Sequence, residues 1–454
     1  MRCNMWRSRF HIAPPYGLLN DPNGLIYWKG EYHLFYQWNP NACEHGAKHW
    51  AHLRSKDLIN WETLPVALSP TDSFDKDGCY SGSAIEKDGE IHLFYTGNVK
   101  NNGVRESYQC LATSKDGVHF EKKGPVIHDK DIPKGYTRHF RDPKVFIENK
   151  IYKMVIGAQR VDLTGTVVVF SSADLINWTF EKEVINADFG FMCECPDFIT
   201  DKESSALLFS PQGIDADGDL YNNRYQSGYI IRKLDEVNKN DFIELDRGFE
   251  FYAPQTFIDE YNKNVLIGWM GMPEELDHPT IEKENWIHSL TLPRTLEIKN
   301  NKIFQTPHPN LKKLRKEKIQ LEEIKVKNSF DLSNLGISGD TYELIIDLKN
   351  LDTDFKIDLR KNENEKTTFS YDFKNKKATL DRNHSGTGYT GNRSCTLQNL
   401  EKIHIFMDKS SVEIFLNDGE EVFTANIYPN KSSLGIEIMT KMVFTIPMIK
   451  FFRI

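Results

Sequence analysis

Three carboxylates, Asp21, Asp142 and Glu194, stand in short proline-marked motifs: Asn20-Asp21-Pro22-Asn23-Gly24, Arg141-Asp142-Pro143 and Glu194-Cys195-Pro196-Asp197. Brought into one closed funnel, such groups raise one another's pKa by desolvation and like charge, which keeps one acid protonated near neutral pH. One ionised and one protonated carboxyl group are the equipment of glycoside hydrolysis. Each motif has an ordinary explanation when taken alone. Asp-Pro-Asn-Gly is a good turn sequence, Arg141 and Asp142 could be a local ion pair, and Glu194 could be a satisfied strand-end carboxylate. A register shared by all three argues against coincidence.

That register comes from a repeat. Short apolar strands recur as HLFYQ from His33, HLFYT from His92, YKMVIG from Tyr152, ALLFS from Ala206 and VLIGW from Val265, in steps of 59, 60, 54 and 59 residues. A second series, SKDLINW from Ser55, SKDGVHF from Ser114 and SADLINW from Ser172, steps by 59 and 58. A period of this length, holding several strands and Gly/Asn/Asp turns, fits a four-stranded propeller blade, and five markers predict five blades. Asp21 precedes its marker by 12 residues, Gly82 by 10, Asp142 by 10, Glu194 by 12 and Ala253 by 12. Equivalent positions in a propeller lie at one depth around the channel, so Asp21, Asp142 and Glu194 are expected to converge there. In an extended segment Cys193 and Cys195 would point away from Glu194, leaving Glu194 toward the channel.

The predicted organisation is all-β: a five-bladed β-propeller over 1–307, a charged connector over 308–325 marked by the run LKKLRKEKIQLEEIKV from Leu311, and an antiparallel β-sandwich over 326–454. The sandwich is read from YELIIDL, FKIDLR, TTFSYDF, KIHIFMD and SVEIFLN, with Asn417-Asp418-Gly419 as a hairpin turn.

Composition narrows the function. The 454 residues carry 57 Lys and Arg against 65 Asp and Glu, a net charge of -8 with no basic footprint for nucleic acid. No apolar run approaches a membrane span, and the N-terminus lacks a signal-peptide core, so a cytoplasmic protein is expected. Cys3, Cys43, Cys79, Cys110, Cys193, Cys195 and Cys395 are an odd, scattered set that suits a reducing compartment. No second Cys or His pair stands at zinc-ligand spacing. Asp215, Asp217 and Asp219 imitate a calcium loop but lack its Gly and its bidentate Glu, so they are read as a polar turn, and no metal is expected.

The ordered motifs, together with Tyr36-Gln37, Tyr80-Ser81-Gly82-Ser83-Ala84 and Asp408 to Gly419, resemble the β-fructofuranosidases of glycoside hydrolase family 32. The resemblance implies a retaining double displacement at a terminal β-fructofuranosyl unit. It implies Asp21 as nucleophile, Glu194 as acid/base and Asp142 as the holder of fructose hydroxyls. Asn20, Gln37, Ser81 and Arg141 match substrate-positioning residues, Tyr252 belongs to the equivalent motif of the fifth blade, Tyr252-Ala253-Pro254, and is taken as substrate-binding, and Trp50 and Trp269 resemble aromatic wall residues, with blade packing as the alternative for both tryptophans. No cofactor is implied. A hydrolase of fructans or fructooligosaccharides, a fructosyltransferase and a noncatalytic sugar-binding propeller are the competing readings. Monomer and homo-oligomer are equally compatible with the sequence.

His45-Gly46 followed by Lys48-His49-Trp50 is similar to the intracellular sucrose-6-phosphate hydrolases, as are Ser210-Pro211-Gln212-Gly213 and Tyr225 to Tyr229. Donors for a phosphate on the glucose unit are expected from Lys48 with His45 or His49, the alternative being a solvated surface loop that carries one Lys and two His.

Overall fold

A computed structural model describes residues 5–185, 187–202, 204–232, 241–275 and 277–454. Cys3 lies outside them. Five antiparallel sheets follow one another along the first 307 residues, and all five apolar markers fall on the second strand of a sheet: Glu31–Asn39, Glu90–Asn101, Ile151–Arg160, Ser204–Gln212 and Asn264–Met270. Their continuous apolar runs follow from burial on both faces, because each blade is pressed between two others. The ring closes where Trp286–Ile287 pairs in parallel with Gly17 and Leu18 at the start of blade 1.

The innermost strands are Gly17–Trp28, Cys79–Lys87, Tyr136–Glu148, Met192–Asp201 and Tyr252–Ile258. Each slips register against its neighbour at the polar motif. Pro22, Pro143, Pro196 and Pro254 supply the cause in four blades, since proline has no N–H to donate to a ladder. Blade 2 uses Gly82, where a Cβ would run into the Phe94 carbonyl oxygen. At the slips, Asp142, Cys195 and Ala253 adopt φ of 66°, 44° and 45°, a conformation that L-residues hold only under constraint and that is enriched at functional sites.

The second domain is an antiparallel β-sandwich whose two layers share the long strands Lys318–Asp331 and Gly435–Arg453. Tyr342–Asp347 pairs with one end of the last strand and Phe355–Lys361 with the other, so a single strand passes from layer to layer. Leu344, Ile357, Phe369, Ile405, Ile414 and Phe451 fill the space between. Asn417, Asp418 and Gly419 have φ of 48°, 58° and 88°, as a tight hairpin requires. The connector expected over 308–325 is not a free linker. His308 caps a 3-10 turn over Pro309–Leu314, and from Lys318 the chain is already in the sandwich. The exposed, charged alternate positions of this strand hid it in the sequence.

A buried polar network joins the domains. The fully buried Arg294 donates from Nε and Nη2 to Glu413 Oε2 at 3.1 and 2.6 Å, and from Nη1 to Asp246 Oδ2 at 3.0 Å. His11 bridges Asp408 and Glu413, with 2.9 Å on each ring nitrogen. The backbone N–H groups of Arg9, Phe10 and Lys409 also donate to Asp408. Burial opposes the His11 imidazolium, but hydrogen bonds and charge from both carboxylates outweigh it and raise its pKa to about 9. Asp408 and Glu413 are in turn held below their ordinary range despite burial, by His11 and, for Glu413, by Arg294.

Candidate active site

A cavity of about 470 Å³ opens at the axis of the propeller, lined by Asp21, Asp142 and Glu194 together with Asn20, Gln37, His45, Lys48, Arg141, Tyr252 and Trp269. Ser81 lies directly behind Asp21, fully buried. The strand slips explain the convergence. At each one the ladder is interrupted and a side chain that would lie within the sheet stack is aimed along the channel instead.

Asp21 is held through one oxygen. Its Oδ2 accepts from Gln37 Nε2 at 3.1 Å, from the Ser81 hydroxyl, and from the Cys195 thiol at 3.6 Å. Among the described residues, its Oδ1 accepts only from Asn20 Nδ2, at 3.2 Å. Burial and the charge of Glu194 hold this carboxyl above its ordinary range against the pull of Ser81 and Asn20. Asp142 is buried, takes the Cys195 backbone N–H at 3.1 Å, and is pushed up to about 7 by burial and Glu194 against the pull of Arg141. Glu194 has donors on both oxygens. Arg141 Nε and Nη2 reach Oε1 at 2.9 and 2.6 Å, while Gln212 Nε2 and the Tyr252 hydroxyl reach Oε2 at 2.7 Å each.

Lys48 is buried with its Nζ lacking any hydrogen-bond partner among the described residues. Desolvation lowers its pKa to about 7, partly offset by the charge of Asp21. His45 stands at the mouth with its ring edge-on to Trp269 at 6.4 Å. His49 does not line the cavity.

Trp50 is corrected. It is fully buried between blades 1 and 2, against Phe35 and Tyr95, with its Nε1 donating to the Tyr80 carbonyl at 3.1 Å. It is blade packing, the alternative given above, and does not face the cavity. Trp269 does line it. The expected orientation of Cys195 is also overturned. Strict alternation fails at the bulge, and the left-handed Cys195 turns its thiol onto Asp21. Burial keeps that thiol protonated, with a pKa well above ordinary, so it acts as a donor. Sequence reasoning missed Gln212, although its motif was noted, and also Thr96, whose hydroxyl accepts the Asp142 N–H at 2.9 Å. The former follows the blade 4 marker directly, a position equivalent to no motif in the other blades.

Two family models match the chain: the Glycosyl hydrolases family 32 N-terminal domain over residues 11–307 and the Glycosyl hydrolases family 32 C terminal over 310–449. The chain is 45% identical to the sucrose-6-phosphate hydrolase of Bacillus subtilis over 96% of its length and 94% of that protein's. It is 41% identical to that of Staphylococcus xylosus, over 96% of this chain and 90% of the relative. Among solved structures, the sucrose-6-phosphate hydrolase of Lactobacillus gasseri superposes with a TM-score of 0.87 at 31% identity, covering 99% of this chain and 93% of that one. The Bombyx mori GH32 beta-fructofuranosidase gives 0.85 at 31% identity, covering 100% and 95%. With its three motif carboxylates gathered at one propeller mouth and both domains matched from end to end, the chain belongs to glycosyl hydrolase family 32.

Proposed function

We propose that the protein is a retaining β-fructofuranosidase whose preferred substrate is sucrose 6-phosphate. The observation that carries the chemistry is the unequal dressing of two carboxylates in one cavity. Asp21 keeps Oδ1 nearly free while Oδ2 is anchored, as a nucleophile must be. Glu194 is fixed from both sides by Arg141, Gln212 and Tyr252, as a group that hands a proton to a defined leaving oxygen must be.

In this reading Asp21 Oδ1 attacks the anomeric carbon of the fructosyl unit. The bond to the glucosyl oxygen breaks, and that oxygen takes its proton from Glu194. Water then enters, gives a proton back to Glu194 and displaces Asp21, releasing fructose with its configuration retained. Asp142 and Arg141 hold the fructosyl hydroxyls. Lys48 lies beside Asp21 and supports its negative charge before attack. The sucrose 6-phosphate preference is supported by the relatives named above and by the cations of the cavity wall, Lys48, Lys100, Arg105 and Arg141, in a chain of net charge -8. A phosphorylated sugar is held inside cells, so we assign the protein to the cytoplasm; among the described residues, no helix is long and apolar enough to cross a membrane.

Initial-rate kinetics on sucrose, sucrose 6-phosphate, 1-kestose and inulin test the substrate. The expected result is the highest kcat/KM on sucrose 6-phosphate; equal constants on the two sucroses overturn the preference. Release of the retained fructose anomer, followed by NMR, tests the mechanism, and an inverted first product refutes it. A crystal structure is expected to show the Asp21 and Glu194 carboxyl groups about 5–5.5 Å apart.

A further inference from the structure

Blade 2 sends its hairpin, Glu90–Asn101 and Val104–Ser114, to the mouth of the cavity. Within it, Lys100 and Arg105 are direct cross-strand partners, and both line the cavity that holds the three carboxylates. Like charges directly opposite one another destabilise an antiparallel pair. Among the described residues no carboxylate makes a hydrogen bond or ion pair with either side chain, and Asp77 acts on the Lys100 ammonium through space. Among the described residues, Arg105 rests on neutral groups, the Asn98 side-chain oxygen at 2.9 Å and the Tyr80 ring at 5.8 Å. Lys100 is exposed, and its ammonium makes no hydrogen bond or ion pair to another described residue. Asp77 lines the same wall, but its carboxylate already takes the Lys100 backbone N–H at 2.7 Å and the Lys76 ammonium at 3.3 Å.

We infer that Lys100 and Arg105 are the phosphate-recognising residues, gripping a phosphomonoester on the leaving sugar. The guanidinium offers paired N–H donors to two phosphate oxygens, and the ammonium adds a point charge from the facing strand. Cβ atoms of directly opposed residues lie only about 4.5–5.5 Å apart, so two long side chains can close on a single phosphate group. Lys48 is the wrong cation for this task. It is buried at the depth of Asp21, where the fructosyl ring must sit, whereas the hairpin tip stands at the mouth, where a substrate with its fructosyl end down presents the other sugar. The inference rests on the fructosidase reading above and specifies the chemistry of its outer end.

The test compares the parent with Lys100→Ala, Arg105→Ala, the double variant and Lys48→Met, each on sucrose and on sucrose 6-phosphate. In the double variant the ratio of kcat/KM for sucrose 6-phosphate to that for sucrose falls about 100-fold, the worth of two charge-assisted hydrogen bonds. The loss is carried by KM, and Lys100→Arg keeps the ratio. Inorganic phosphate competes with sucrose 6-phosphate in the parent and competes less well in the double variant. Lys48→Met slows both substrates by a similar factor. A ratio that survives the double substitution, or one abolished by Lys48→Met alone, overturns the assignment and leaves the fructosidase reading standing. A parent with no preference between the two substrates overturns the phosphate reading beneath it.

Discussion

The funnel and the domain junction are built from the same side chains and reach opposite states. At the junction, Asp408, Glu413 and Asp246 face Arg294, His11 and a row of backbone N–H groups; Asp408 and Glu413 are held below their ordinary range, while burial keeps Asp246 above its own despite Arg294. In the funnel, three carboxylates share one guanidinium and a partly discharged lysine, and Asp21 and Asp142 are pushed upward. Burial is common to both. What differs is how the cations engage: His11 and Arg294 bond Asp408 and Glu413 directly, whereas Asp21 and Asp142 take their hydrogen bonds from neutral groups, with Arg141 3.9 Å from Asp142, and that difference separates a clamp from a site poised to react. Charge balance in low dielectric gives a stable network, whereas imbalance raises the energy of ionised groups that a substrate can relieve.

The sharpest way to break the comparison is Asp21→Ala, for which kcat is expected to fall about 10,000-fold or more with an unchanged circular dichroism spectrum. Arg294→Met inverts the outcome. It strands Glu413 and Asp246 in the interior at a cost of about 3–5 kcal/mol, read as a lower Tm and denaturation midpoint. The pH dependence of the junction follows from His11. Its folded pKa, about 9, lies above the ordinary value, so its stabilisation is complete below about pH 6.5 and is lost as pH rises through 9; the total is roughly 3 kcal/mol, measurable as falling chemical stability from pH 6.5 to 10 and absent in His11→Phe. Asp142→Asn tests the opposite sign in the funnel. Asp142 has a folded pKa of about 7, so its ionisation burdens the fold above that pH and not below about pH 4. The variant is expected to lose turnover yet gain about 1–3 kcal/mol of stability at pH 8, with no gain at pH 4. Smallest is Tyr252→Phe, which removes one donor from Glu194 and is expected to lower kcat about 10-fold with little change in KM.

The blade count and the three carboxylates were legible because both rest on a repeat. Each marker strand must be apolar on two faces, and each slip in the innermost strand needs a residue that cannot pair, so the pattern is written every 54 to 60 residues. What depends on departures from regularity was not legible. Cys195 breaks alternation because its backbone is left-handed. Trp50 is two residues from Lys48 in sequence yet enters the gap between two blades, a placement set by how blade 2 closes against blade 1. Lys100 and Arg105 carry no motif at all; only the hairpin register and the curvature of the ring bring them to the mouth. The strand Lys318–Asp331 was hidden for the converse reason, since it buries one face lightly and reads as a charged run.

The parallel pairing of Trp286–Ile287 with Gly17 and Leu18, and the anchoring of Arg9 to Asp408, have a consequence for the birth of the protein. The segment just ahead of Asp21 waits for a partner made almost 270 residues later, and Arg9 for one 399 residues away. At 5–20 residues per second, that second interval is roughly 20–80 s on the ribosome. During it, blades 2 to 4 can pair their strands locally, while the strand that carries Asp21 has no closing neighbour. Activity therefore arrives in a single late step of synthesis, and a nascent chain stalled before Trp286 is expected to hold most of a propeller and no working site.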